Sequence, residues 1–283
     1  MKIAIYGSRR QAPYADSIKS LLRCLALSNA EIVMYPKLYN HLTDDLGISL
    51  PGVGVADRFP HNVDIVLSIG GDGTFLRTAA WVGSAGVPIA GINTGNLGYL
   101  SAVSIEQMSS LVDDILTGNY AVEERTLIEV TEPTVRGWRF ALNEVVMSKD
   151  DSAAIIDAHA FLNGKELTTY KADGLIVATP TGSTAYNLSA GGPILQPTAP
   201  VWVVSPIAAH SLGMRPLVID DNSEVEVHVT GRGHTFRLTI DGRSTTVPFD
   251  MVVRMRKAPF CTRIVQLCGS EFQDVLRNKL MFN

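Results

Sequence analysis

The hydrophobic pattern changes character part-way along the chain, near Ala121. Before that point, short solid apolar runs alternate with stretches at helical spacing. Residues 2–6 read as a first strand ending at Gly7, and residues 11–27 place Ile18, Leu21, Leu22 and Leu25 on one helical face. Residues 32–34 form a candidate second strand. Residues 35–62 are weakly periodic and rich in turn residues, so the pattern predicts a loop with at most a short helical piece. Residues 65–69 then read as a buried strand, and 74–82 as a helix carrying Phe75, Leu76, Ala79 and Ala80. A further apolar run spans 87–92. Ser104 with Gln107 makes a capping-box pattern for a helix over 105–117, closed by Gly118. Alternation of this kind predicts a parallel sheet covered on both faces, with ligands beyond the carboxyl ends of its strands.

From Arg125 onward the helical spacing gives way to short β-rich pieces: 126–130, 139–142, 145–147, 158–162, 175–178, 201–204, 224–229, 237–240 and 252–255. The stretch 224–229 alternates as a half-buried strand should. Residues 263–267 and 272–280 read as a strand and a helix that rejoin the first domain. The predicted architecture is an α/β N-terminal domain with a parallel sheet, plus a β-rich, sandwich-like second domain. The first covers 1–122 and 259–283, the second 123–258.

Composition narrows the class. Over 283 residues, 46% hydrophobic and 18% charged content fits a globular protein with a substantial core. A net charge of −4 argues against a general nucleic-acid or anionic-membrane binder. The apolar start is too short for a signal segment, and no run approaches the roughly 20 residues of a membrane span. Cys24, Cys261 and Cys268 form no C-x-x-C pair, so neither zinc nor a disulfide framework is suggested and a reducing cytoplasm is expected.

Two stretches carry chemistry. The first is Gly70-Gly71-Asp72-Gly73-Thr74, between the 65–69 strand and its helix. A strand, a glycine turn and a helix N-terminus present backbone N–H groups to a phosphate. An aspartate there repels phosphate and needs a reason. It takes a proton from an attacking hydroxyl or holds a metal, or else it is an N-cap or turn residue. The second runs from Asp173 to Gly192, where a strand meets Pro180 and the hydroxyls of Thr181, Ser183, Thr184, Tyr186 and Ser189. These are donors and acceptors for a polar ligand, with a helix dipole over 184–189 facing it, or a plain Ser/Thr turn. No G-x-x-x-x-G-K-[ST] motif occurs.

Together the two stretches resemble the ATP-dependent NAD kinases, within the superfamily that also holds diacylglycerol and sphingosine kinases. The resemblance extends to Gly91-Ile92-Asn93-Thr94-Gly95-Asn96-Leu97-Gly98-Tyr99-Leu100, Asn143-Glu144, His210-Ser211-Leu212 and Arg215-Pro216-Leu217. It implies transfer of the γ-phosphate of ATP to the 2′-hydroxyl of the adenosine ribose of NAD, giving NADP. Asp72 is then the general base, and it touches NAD together with Gly73. Gly71, Gly73, Arg77 and Lys171 face phosphates; Arg77 is otherwise a solvated helix residue. Mg²⁺ or another divalent ion assists, with no protein metal ligands assigned. Asn143, Glu144, Asp173, Thr184, Ala185, Tyr186, Asn187, Leu188, Ser189 and Ala208 bind the dinucleotide. Glu144 accepts from sugar hydroxyls. The family forms homodimers or homotetramers through the second domain.

Asp241 is read either as a second acid near the reacting centre or as an Asp-Gly hairpin turn, the turn being favoured. His210 lacks a partner acid and reads as structural. Ala154, Ala209 and Gly213 depart from the family pattern and bear on substrate preference. The alternatives are a lipid kinase of the same superfamily and a dinucleotide-binding regulator without catalysis.

Overall fold

The structure is a computed structural model that describes residues 1–7, 12–95, 98–101, 103–104, 107–135, 137–150, 155–211, 213–267 and 272–280. Asn96, Leu97, Ala154, Leu212 and Cys268 lie outside the described residues. The chain divides into two units, one of residues 1–124 and 262–283, the other of residues 125–261.

The first unit carries β1 (Lys2–Gly7), α1 (Ala15–Leu27), β2 (Glu31–Met34), α2 (Pro36–Asn40), β3 (Gly54–Val55), β4 (Ile65–Ile69), α3 (Asp72–Val82), β5 (Ile89–Asn93), β6 (Val103–Ser104), α4 (Met108–Thr117) and β7 (Tyr120–Arg125). Its sheet runs β3-β2-β1-β4-β5 with parallel pairing, and β6 pairs in parallel beside β5. β4 and β5 are buried along their whole length, as strands covered on both faces must be. α1 buries Ile18, Leu21, Leu22 and Leu25, the face its spacing predicts. It starts at Ala15 after a 3-10 turn over Ala12–Tyr14, later than the expected residue 11. α4 starts at Met108 rather than 105, with the Ser104 amide donating to the Gln107 side chain, and stops at Gly118 in the left-handed region. The expected 35–62 loop contains α2, a π-helical turn at His41–Asp45, and β3.

The second unit has β8 (Ile128–Glu132), β9 (Phe140–Ala141), β10 (Glu144–Lys149), β11 (Ile156–Leu162), β12 (Lys165–Ala172), β13 (Gly174–Ala178), α5 (Tyr186–Ser189), β14 (Val201–Ile207), β15 (Leu217–Asp220), β16 (Val225–Gly231), β17 (Thr235–Ile240), β18 (Arg243–Pro248) and β19 (Val252–Lys257). β20 (Thr262–Leu267) and α6 (Phe272–Leu280) belong to the first unit, where β20 pairs with β5 in parallel. The strands of the second unit form two six-stranded sheets, β15-β14-β13-β10-β17-β18 and β12-β11-β16-β19-β8-β9. Their inner faces share one core that includes Val145, Val177, Trp202, Phe236, Ala158, Val227 and Val253. This is the layered β-rich architecture the pattern predicts.

β12, β15 and β18 escaped the sequence reading. Each is a sheet edge. β18 exposes all but one of its side chains, so its sequence lacks the apolar alternation that marks a half-buried strand.

Candidate active site

The expected site residues fall near strand ends, and within each unit one aspartate organises the backbone around them. In the first unit β4 runs out at Ile69 and α3 begins at Asp72. Gly71, not Asp72, holds the N-cap position, and no side chain caps the helix. Asp72 reaches outside its own helix instead. Its Oδ2 accepts from the amide of Tyr99 at 2.8 Å, and its Oδ1 accepts from the amides of Leu100 and Ser101 at 3.0 and 3.1 Å. The N-cap alternative is therefore wrong.

That loop leaves the end of β5, the strand beside β4. Asn93 organises it: its Oδ1 accepts from the amide of Gly95 at 2.7 Å, and its Nδ2 donates to the carbonyl of Ser101 at 3.2 Å. Gly98 is required by proximity, since a Cβ there would overlap Asp72 Oδ1. A carboxylate offers about four lone-pair sites. Three amides leave one open, on Oδ2. Burial raises the pKa of the Tyr99 hydroxyl, and the Asp72 charge raises it further.

Gly71 and Gly73 are exposed at the head of α3, where the first-turn amides lie beyond the reach of intrahelical carbonyls. Arg77 lies near Gly73 and donates to Thr74 Oγ1 at 3.1 Å. Its guanidinium also bonds the Tyr6 hydroxyl, whose pKa is raised chiefly by burial. Arg77 is thus tethered at the mouth of the turn while its side chain remains exposed.

In the second unit Glu144 opens β10 and Asn143 directly precedes it. Their backbone is fixed from two directions. The amides of Leu142, Asn143 and Glu144 donate to the Asp241 carboxylate at 2.8, 2.9 and 3.2 Å. Thr179, at the end of β13, donates its hydroxyl to the carbonyl of Leu142 at 2.5 Å and its amide to the carbonyl of Asn143 at 2.9 Å. Gly182 packs so close that a Cβ there would overlap the Asn143 carbonyl. Glu144 is 9% exposed, and its Oε2 has no partner among the described residues. Burial, and secondly the neighbouring Asp241 charge, push its carboxyl up to about 7, against a backbone bond from Tyr186. A buried acid with an open oxygen is poised for a hydroxyl donor.

The hydroxyl-rich turn is a 3-10 segment over Thr181–Thr184 followed by a single turn, α5. One turn has no appreciable dipole, so the expected helix-dipole contribution is absent. Tyr186 is exposed, and Thr184, Ala185 and Leu188 are half-buried. Asn187 is fully buried. Its Nδ2 donates to the carbonyls of Ser183 and Pro193, and its Oδ1 accepts from Ser205 Oγ. Its side-chain amide holds the turn together.

Asp173 sits at the other end of the same strands. Its carbonyl accepts from the amide of Lys149, while Glu144 pairs with Ala178. The five-residue strand from Gly174 to Ala178, four steps long, spans roughly 13 Å between the two ends at strand rise. Asp173 Oδ1 takes a 2.8 Å bond from Lys149 Nζ. Ala208 follows β14 at this end with a positive φ of 49°, and the Ile207 carbonyl accepts the Asp173 amide. Lys171 and His210 line a cavity of about 520 Å³ with Asp157 and Arg232. The structure therefore sorts the expected dinucleotide residues into a Glu144 group and an Asp173 group.

A cavity of about 750 Å³ in the first unit, lined by Leu22, Arg23, Ile48 and Leu50, contains none of the expected site residues. Among the described residues no three His, Cys, Asp or Glu side chains group closely enough to hold a metal ion. Sequence reading missed what Asn93 and Thr179 do. Both are polar residues at the carboxyl end of an apolar strand, which is the available signal.

Residues 18–120 match the ATP-NAD kinase N-terminal domain and residues 142–267 the ATP-NAD kinase C-terminal domain. The NAD kinase of Porphyromonas gingivalis is 41% identical over 281 residues, covering 99% of this chain and 98% of that one. The NAD kinase of Bacteroides fragilis is 40% identical over 284 residues, covering 100% and 98%. Among solved structures, yeast NADH kinase complexed with NADH superposes with a TM-score of 0.86 at 22% identity, covering 100% of this chain and 88% of that one. An NAD kinase from Archaeoglobus fulgidus in complex with ATP gives a TM-score of 0.73 at 26% identity, covering 99% and 98%.

Proposed function

The chain belongs to the ATP-NAD kinase family and is an NAD kinase, and from that premise we propose how its residues divide the work. The reaction moves the γ-phosphate of ATP to the 2′-hydroxyl of the adenosine ribose of NAD. A ribose hydroxyl is a weak nucleophile at neutral pH. Asp72 takes its proton as the new O–P bond forms, a contribution of about 10²–10⁴-fold. The observation that carries this role is the three-amide clamp, which fixes the carboxylate at a helix N-terminus with one acceptor site open. Gly71 and Gly73 present backbone to the triphosphate, and Arg77 adds a tethered positive charge.

Asn143 and Glu144 bind the dinucleotide, with Glu144 Oε2 accepting from a sugar hydroxyl. Thr184, Ala185, Tyr186, Leu188 and Ser189 line that side. Asp173, Lys171 and Ala208 act at the far end of the β10–β13 ladder. This separation favours assembly through the second unit into a homodimer or homotetramer, in which the far end serves another part of the ligand or another copy. Light scattering with and without NAD tests the assembly.

The described residues offer no cage for a divalent ion. Mg²⁺ fits instead as a substrate-borne ion, carried by the phosphates and water. When bound, it supplies neutralisation of phosphate charge. No helix is long and apolar enough to cross a membrane among the described residues. We place the enzyme in the cytoplasm.

The decisive experiment is Asp72→Asn. NAD binding by calorimetry is retained, while turnover measured as NADP from NAD, ATP and Mg²⁺ falls by about 10²–10⁴. Unchanged turnover removes Asp72 as the base.

A further inference from the structure

The tip of the β17–β18 hairpin is Asp241-Gly242, with φ of 45° and 76°. Both positive angles mark a two-residue turn that Asn-Gly or Gly-Gly forms equally well. The turn itself does not need a carboxylate. Yet Asp241 is half-buried, and burial is the first cause raising its pKa. Taking a charge out of water is costly unless it does something specific. Here the carboxylate leaves its own hairpin and accepts the amides of Leu142, Asn143 and Glu144, about a hundred positions earlier in the chain. In return the Asp241 amide donates to the Glu144 carbonyl at 3.2 Å. The backbone at Glu144 is thus clasped from both sides by one residue.

We propose that Asp241 is a positioning residue for NAD: by clasping residues 142, 143 and 144 it holds the buried Glu144 carboxylate at the angle that leaves Oε2 open to the sugar. Asp241 acts through the 142–144 backbone it holds, not as an acid or base in the transfer. The inference rests on the reading of Glu144 as the sugar acceptor.

A second consequence separates this role from plain structural support. The charged group facing Glu144 is Asp241. α5 contributes only the Tyr186 amide, and Arg243 on β18 acts on Asp241. Removing the Asp241 charge therefore makes Glu144 ionise at lower pH. The acidic limb of kcat/KM for NAD moves to lower pH with it.

The test uses the full-length enzyme with NAD and ATP varied separately. In Asp241→Asn the KM for NAD rises about tenfold, kcat stays within about threefold, and the KM for ATP is unchanged. The acidic limb shifts to lower pH. The double variant Asp241→Asn/Glu144→Gln binds NAD no worse than Glu144→Gln alone, because both changes act on one contact. Asp241→Glu keeps the charge and lengthens the arm, so it raises the KM while the limb stays in place. This variant serves if Asp241→Asn does not fold. An unchanged KM in either variant, an unmoved limb in Asp241→Asn, or additive losses in the double variant would overturn the proposal. A loss confined to kcat would overturn it too. If Glu144→Gln alone leaves the KM for NAD unchanged, the sugar-acceptor reading has failed, and that result is read independently of Asp241.

Discussion

Asp72 in the first unit and Asp241 in the second are held alike. Each carboxylate accepts three consecutive backbone amides from a distant segment, residues 99–101 in one case and 142–144 in the other. Their surroundings differ. Asp72 is half-buried at the head of an eleven-residue helix and keeps an open acceptor site. Asp241 is half-buried too, but it sits at the tip of a hairpin and faces another acid. One clamp thus serves two ends. The proposed roles differ with the surroundings: Asp72 as the base at a helix N-terminus, Asp241 as the residue that aims Glu144.

The largest effect that would break this contrast is at Asp72. If Asp72→Asn and Asp241→Asn both lost about 10²–10⁴ of kcat, the two residues would share one job, and the division drawn here would fall. Next come the glycines that let each clamp close. Gly98→Ala drives a methyl into the Asp72 carboxylate and should cost kcat at least tenfold, whereas Gly182→Ala displaces the Asn143 backbone and should act on the KM for NAD. Overpacking of this kind also costs about 1–3 kcal/mol of stability, read by thermal melting.

Glu144 sharpens the contrast through pH. Its carboxyl is raised to about 7 in the folded protein, above its ordinary value of 4.5. The folded state therefore holds a proton that the unfolded state has lost between these values. Stability from this group is present below about 4.5 and is lost as pH rises through about 7. Glu144→Gln should thus gain stability over the parent above neutral pH, on the order of 3 kcal/mol, and the gain should vanish towards pH 4. Denaturant melts across that range check it.

Sugar hydroxyls favour the ionised carboxylate, so NAD binding near pH 7 should release up to about half a proton. Calorimetry in two buffers of different ionisation enthalpy measures it, and Glu144→Gln should abolish it. The smallest effect is expected at the half-buried Lys149–Asp173 pair, where Lys149→Met should cost under about 1 kcal/mol. A loss comparable to the Glu144 effect would mean that the far end of the ladder is as tightly organised as the clamps.

What the sequence determined by itself is what local patterning controls. Solid apolar runs, the Gly-Gly-Asp-Gly turn and the helical face of α1 specify a parallel sheet with Asp72 at a strand end. Alternation such as that of 224–229 specifies the β-rich half. Edge strands β12, β15 and β18 stayed hidden because an edge needs little apolar surface. Only the tertiary structure decided which amides each aspartate holds, that Asn187 faces inward, and that Asp173 stands a strand's length from Glu144. Hydrogen bonds spanning 27 to 99 positions leave no period in the chain, and the charge state of a carboxyl depends on neighbours and burial that exist only once the sheets have packed.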